Sequence, residues 1–232
     1  MSDLAIAPLA DAPVKSATEQ VFDALYEAVI SLQLTPGTKV SEIEVAKQLG
    51  VSRQPVRDAF FRLSNLGFLA IRPQRATLIT RISEKAVLDA MFVRTALELE
   101  CLRAASVRLT PEYSARLHAN LDQQTAELDG PDHAEFHALD DAFHALLCEI
   151  AGQPQVWRLI QEQKAHMDRV RYLTLSHMRK AEVLADHIAI VDALEAGDSA
   201  MVDARLRMHL GDIRTALVGI RKDNPDYFEI DG

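Results

Sequence analysis

Between Val40 and Ala59 the chain reads as two short helices joined by a tight turn, and this constrains its fold more than any other feature. Ser41 and Glu44 have the S-x-x-E spacing of a capped helix start, and Gly50 is placed to end that helix. Ser52 then opens a second helix, in which Pro55 is tolerated because first-turn amides have no intrahelical partner. Arg53 and Arg57 lie one turn apart at the start of this second helix and share one face. Such a helix can lie in a DNA major groove with its N-terminal end at the base edges.

The flanking segments complete a small domain. Val21, Phe22, Leu25, Val29 and Leu32 fit one helical face from Thr18 to Leu32, and Leu34-Thr35-Pro36-Gly37 breaks that helix. The helix opened by Ser52 runs to about Asn65 and stops at Gly67. Phe68–Arg72 and Ala76–Thr80 then read as strands around Pro73-Gln74-Arg75, the β-hairpin wing of a winged helix-turn-helix. The chain therefore divides into an arm over 1–15, a winged domain over 16–81, a helical domain over 82–222 and a tail over 223–232. Within the helical domain, helices are expected at 84–107, 111–128, 133–151, 154–175, 178–196 and 198–221. Their breaks are Thr110-Pro111, Gly130-Pro131, Gly152-Gln153-Pro154 and Gly197-Asp198. The fold class is mostly α: three helices plus a β-hairpin, followed by an all-α antiparallel bundle of about six helices. Tyr227 and Phe228 in the tail can pin it to a neighbour.

A formal net charge of −9 argues against a nucleic-acid partner until its distribution is considered. Residues 1–81 carry 9 Lys/Arg against 8 Asp/Glu, and the remainder carries 16 against 26. Five basic residues fall between Arg53 and Arg75, and DNA affinity depends on local phosphate neutralisation. No run of about eighteen apolar residues offers a membrane span, and the N-terminus has no secretory pattern. Cys101 and Cys148 follow no metal or disulfide spacing and read as buried thiols of a reducing cytoplasm.

Ser52, Arg53, Gln54 and Arg57 supply small and polar groups where base edges would lie. Arginine can pair with guanine and Gln54 with adenine. Arg75 at the hairpin tip suits a minor groove, and Lys39 or Arg72 suits phosphates. Taken singly, each of these arginines reads better as a solvated surface charge; capped helix, turn, arginine pair and wing together favour DNA. Leu34-x-Pro36-Gly37, Ser41-Glu42, Leu49-Gly50-Val51-Ser52-Arg53-x-Pro55-Val56-Arg57-Asp58-Ala59 and Gly67-Phe68-Leu69 resemble the winged helix-turn-helix of GntR-type bacterial regulators. Ala76 stands where that family commonly has a wing glycine, and Val45 replaces a usual leucine.

The helix from His133 carries His133, His137, Asp140 and His144 on one face, with His187 and His209 on later helices. One aspartate and three imidazoles from three helices can form an N3O metal site. Spacing leaves open whether His133 or His137 joins it, and whether Asp141 replaces Asp140. Asp140-Asp141-Ala142-Phe143-His144 is similar to the D-x-x-F-H motif of the FCD ligand-binding domain that accompanies many GntR heads. His187-x-x-Ile190 and Met208-His209-Leu210 look like its closing motif. That resemblance implies a divalent ion (zinc, with nickel and manganese as alternatives) on Asp140, His144, His187 and His209. Six helices fit the VanR-like subgroup, and Gln153 replaces a common asparagine. Arg94 has two readings: an ion pair with Glu98 on the surface, or, by the resemblance, a pocket group reaching toward a carboxylate effector.

The expected protein is a cytoplasmic homodimeric repressor, not an enzyme, that binds a palindromic DNA operator and is released by a small organic acid such as a hydroxy acid. A metal-responsive regulator is the nearest alternative. A metallohydrolase is disfavoured, because no carboxylate stands out as general base and the DNA-binding head would have no role.

Overall fold

Ser16 opens the first helix with a reciprocal cap: its hydroxyl accepts from the Glu19 amide, and the Glu19 carboxylate accepts from the Ser16 amide. In the computed structural model, which describes residues 15–71, 76–130, 133–174 and 177–229, this helix is α1 (Ala17–Ile30). Residues 1–14 of the expected arm lie outside the described residues. α1 buries Val21, Leu25, Val29 and Ile30 among Val56, Ala59, Phe60 and Leu63 of α3 (Arg53–Asn65). Between them, α2 (Glu42–Leu49) starts where the Ser41 hydroxyl accepts from the Glu44 amide at 3.1 Å. It ends at Gly50, whose φ of 67° is a left-handed conformation that favours glycine. Ser52 occupies the N-cap position of α3, yet its side chain makes no cap hydrogen bond, unlike the expectation of a capping serine. Ser41→Ala is expected to cost about 1 kcal/mol in urea denaturation, the usual value of a lost N-cap.

The wing is part of a three-stranded antiparallel sheet of order β1-β3-β2, formed by β1 (Lys39–Val40), β2 (Leu69–Ala70) and β3 (Thr77–Ile79). Val40 pairs with Thr77 on one side, and Ala70 with Leu78 on the other. The sequence pointed to the β2–β3 hairpin but not to β1, because two residues are too short to show alternation. The hairpin tip, with Arg72 and Arg75, lies outside the described residues.

Six further helices follow: α4 (Glu84–Ser106), α5 (Pro111–Ala126), α6 (His133–Ile150), α7 (Pro154–Thr174), α8 (His177–Glu195) and α9 (Ser199–Asp223). Their ends fall within two residues of those expected from the caps and breaks. α4 packs against α6, α7 and α9. Leu102, Leu117, Phe143, Leu147, Ile160, Ile190 and Leu206 form the main core. Among the described residues no helix is long and apolar enough to cross a membrane.

α7 also joins the two halves. Ala165 sits in the core of the winged half, the His166 ring packs 4.7 Å from Phe68, and Arg169 donates to the Thr80 carbonyl at 2.7 Å. The tail is pinned to the chain's own connection between the halves. Ile82 donates to the Tyr227 carbonyl, the Glu229 amide donates back to Ile82, and Phe228 is buried beside Ile82 and Val87.

Candidate metal centre and nucleic-acid interface

Asp140 and His144 stand one turn apart on the inner face of α6, between the buried Phe136, Phe143 and Leu147. His187 comes from α8 and His209 from α9, so three helices deliver four polar groups to one buried point. One ligand-capable atom from each of Asp140, His144, His187 and His209 lies within 4.8 Å of every other. His209 Nε2 is 3.4 Å from His187 Nε2 and 3.3 Å from His144 Nε2, and His187 Nε2 is 3.6 Å from Asp140 Oδ1. Two nitrogens bound about 2.0–2.1 Å from one ion at a tetrahedral angle lie about 3.3–3.4 Å apart, which is this spacing.

The outer nitrogens decide what these inner atoms can be. His144 Nδ1 is 2.6 Å from the Glu98 carboxylate, His209 Nδ1 is 3.2 Å from Asp186, and His187 Nδ1 is 2.9 Å from Gln124 Oε1. The Gln124 amide is oriented by donating to Asn120 Oδ1, whose own amide donates to the Leu139 carbonyl. Each Nδ1 lies within 3.2 Å of a side-chain oxygen, and with the proton on Nδ1 all three Nε2 lone pairs point inward. Burial, followed by the neighbouring His209, holds His187 well below the ordinary imidazole range, which disfavours a proton as the bridging cation. Burial alone would raise the Asp140 carboxyl, but Arg171 and the imidazoles hold it well below the usual carboxylate range. Asp140 Oδ1 is buried with no hydrogen-bond partner. Three inward lone pairs and a carboxylate oxygen match the donor set of a divalent ion.

Two residues that support this cluster, Glu98 and Arg171, were not assigned to it from the sequence. Glu98 is buried and links His144 to Arg94, whose Nε donates to it at 2.5 Å. The surface reading of the Arg94–Glu98 pair is thereby corrected: the pair forms at its i,i+4 spacing, but with both side chains 3% exposed or less. Arg94 Nη2 remains without a partner. Arg171 of α7 holds Asp140 Oδ2 at 2.6 Å. Arg94, Arg171 and His209 line a narrow cavity, with Thr174 and Arg179, that has room for a few water-sized groups (about 40 Å³). His137 is excluded from the cluster and packs on Tyr172 instead, while Asp141 turns to Lys164; the side chain of His133 lies outside the described residues.

In the winged half, Ser52, Arg53, Gln54 and Arg57 are all exposed at the N-terminal end of α3. Arg53 and Arg57 both reach Glu42 Oε2 of α2 at 3.3 Å, and Gln54 donates to Asp58 at 2.9 Å. These exposed pairs are weak, so each cation is available to a phosphate or base edge. Arg75, expected in the same surface, lies outside the described residues.

Comparison with known proteins follows the same division of the chain. Residues 17–79 match the profile of bacterial regulatory proteins of the gntR family, and residues 89–212 match the FCD domain. The HTH-type transcriptional repressor RspR of Escherichia coli K12 is 36% identical over 217 residues, covering 93% of this chain and 95% of that protein. A probable D-xylose utilization operon transcriptional repressor of Paenarthrobacter nicotinovorans is 28% identical over 191 residues, covering 82% of this chain and 84% of that protein. A solved structure titled E. coli McbR/YncC, 21% identical, superposes with a TM-score of 0.73 over 90% of this chain and 99% of that one, showing the same fold.

Proposed function

The chain belongs to the gntR family of bacterial regulatory proteins and carries an FCD domain, and from that premise we propose a cytoplasmic homodimeric repressor released from its operator by a small organic acid. It is a DNA-binding transcription regulator; its proposed head is residues 16–81 and its proposed sensor residues 82–222. Repression is favoured by a relative that is named a transcriptional repressor. A two-fold dimer follows from operator logic, since two recognition helices match half-sites one or more turns apart. Ser52, Arg53, Gln54 and Arg57, with Arg75 on the wing, are the proposed DNA contacts. The six-helix pattern favours the VanR-like subgroup.

The observation that carries the sensor half of this proposal is the convergence of three inward imidazole lone pairs and Asp140. Asp140, His144, His187 and His209 would hold a divalent ion, zinc first and nickel or manganese as alternatives. When bound, the ion would supply a positive centre for carboxylate or hydroxyl oxygens. Arg94, which lines the same cavity, would orient the acid group. The roughly 40 Å³ of room favours a short acid. Glu98 acts on the cluster through His144, and Glu98→Gln is expected to weaken metal affinity by about 10–100-fold, read by competition with a chromogenic chelator.

α7 supplies a route from this cavity to DNA. Arg171 holds Asp140, while Arg169, two residues earlier, holds the Thr80 carbonyl, and the Tyr172 hydroxyl meets Glu27 of α1 at 3.3 Å. An acid that shifts Arg171 changes how the winged half sits, provided it binds the DNA-incompetent arrangement more tightly. The test is to follow operator release while metal-stripped protein is titrated with ion alone, then with short carboxylic and hydroxy acids. Release by an acid only after metal loading supports the proposal. Release by ion alone assigns the signal to the metal, and release by neither sinks the sensor reading.

A further inference from the structure

α3 carries a second phenylalanine that its core does not need. Val56, Ala59, Phe60 and Leu63 form the buried face of this helix and pack with α1. Phe61 stands off that face and is 63% exposed. Among the described residues no ring or cation rests on it: Arg57 reaches Glu42, and the Arg62 guanidinium lies 3.7 Å from the centre of the Phe22 ring. Isolated exposed apolar side chains are ordinary, so position decides whether this one has a role.

Phe61 is the third member of the series Arg53, Arg57, Phe61, at i, i+4 and i+8 along one side of α3. At about 100° per residue, it lies about 40° around the helix from Arg57 and about 20° from Gln54. It therefore stands inside the sector bounded by Arg53, Arg57 and Gln54, all of them exposed. At about 1.5 Å per residue it follows Arg57 by about 6 Å along the axis, close to two base-pair steps. A helix that lays both arginines in a major groove brings Phe61 into the groove with them. The electronegative face of an aromatic ring disfavours phosphate oxygens. Among the groups that base pairs display in the major groove, the thymine C5-methyl is the apolar one, and phenylalanine is one of the side chains suited to it.

We propose that Phe61 is a specificity-determining residue of α3, packing on the C5-methyl of a thymine about two steps from the base pair that Arg57 meets. This rests on the proposed docking of α3 by its Arg53 and Arg57 side. The arginines supply pairing to guanine or phosphate, and Phe61 adds selection for an A·T pair in the orientation that turns the methyl toward the ring. A cytosine at that position removes the methyl and sets a polar amino group beside the ring. The contact buries apolar surface and displaces no counterion, so its share of the affinity does not vary with salt.

The probe is a duplex selected by the parent protein from a random-sequence library, with each thymine replaced in turn by deoxyuridine, which lacks only the methyl group. One such replacement in each half-site is expected to weaken the parent by about three- to five-fold, the value of one buried methyl. Phe61→Ala is expected to bind the unmodified duplex about ten-fold more weakly, with an unchanged salt slope, and to be indifferent to that same replacement. Phe61 is exposed, so the variant keeps its fold. A parent indifferent to every deoxyuridine, Phe61→Ala binding within about two-fold of the parent, or a deoxyuridine penalty kept in full by Phe61→Ala would each overturn the proposal. Arg53→Ala and Arg57→Ala on the same duplex separate the two readings. If both bind normally, the docking of α3 fails; if they weaken while Phe61→Ala does not, the docking stands and the thymine contact alone falls.

Discussion

Replacing His187 and His209 together by alanine is expected to abolish both bound metal and acid response while leaving effector-free operator affinity within about two-fold. The two residues supply half of the four converging donors, and each is buried, so solvent cannot substitute for them without reorganising the core. Losing only an outer partner of a metal-bound histidine costs about 10–100-fold, so losing two donors should exceed about 10³-fold. The proposed recognition surface is untouched, because Arg53 and Arg57 lie on α3 in the other half. Elemental analysis should read one ion per chain in the parent protein and none in the variant. Chelation of the parent is expected to lower its melting temperature, since an ion bound only by the folded state stabilises that state by mass action. If the variant kept a full equivalent of metal, the four residues would not be its ligands. If chelation lowered the melting temperature but acids still released the operator, the ion would be a staple joining α6, α8 and α9 and not a sensor. His187→Gln, which retains polar bulk, checks that any loss comes from the donor and not from a cavity in the core.

How far the sequence speaks for this site depends on which residues carry it. Asp140 and His144 were legible because i,i+4 spacing on a helix sets two side chains on one face, whatever the tertiary structure. His187 and His209 were legible as positions of a motif, but their meeting with His144 at 3.3–3.4 Å depends on how α8 and α9 pack, which no local pattern encodes. Arg94 and Glu98 show the limit most clearly. An i,i+4 ion pair has the same spacing on a wet surface as in a core, and only the packing of α4 against α6, α7 and α9 places this one inside. Arg171 has no assignment from the sequence, because nothing local marks which charge of its helix turns toward Asp140. Helix ends were well determined by proline, glycine and capping residues, whereas β1 was invisible because its pairing partner lies almost forty residues on. The Phe228 contact with Ile82 spans an even longer separation and is a property of the folded chain alone.

Arg53→Ala is expected to weaken operator binding by about 1–3 kcal/mol, roughly 5–150-fold, and to relax base choice at one position of each half-site. Arg57→Ala should give a loss of similar size. The two residues then separate by mechanism: a base-reading arginine loses discrimination between sequences, whereas a phosphate-holding one lowers affinity evenly and reduces the salt slope by about one. Both guanidiniums share Glu42 Oε2 in the free protein, at 3.3 Å and more than half exposed. Exposed pairs of this kind are worth about 0–1 kcal/mol, less than a bidentate contact to guanine at about 1–3 kcal/mol. On the proposed docking, DNA would take either arginine from Glu42 at little cost. The Ser52 hydroxyl is not used as a helix cap, which leaves it available to the same phosphate or base edge. Gel-shift titrations of parent and variants at two salt concentrations measure all of these quantities. Unchanged affinity in Arg53→Ala and Arg57→Ala alike would mean that α3 does not enter the groove by this end.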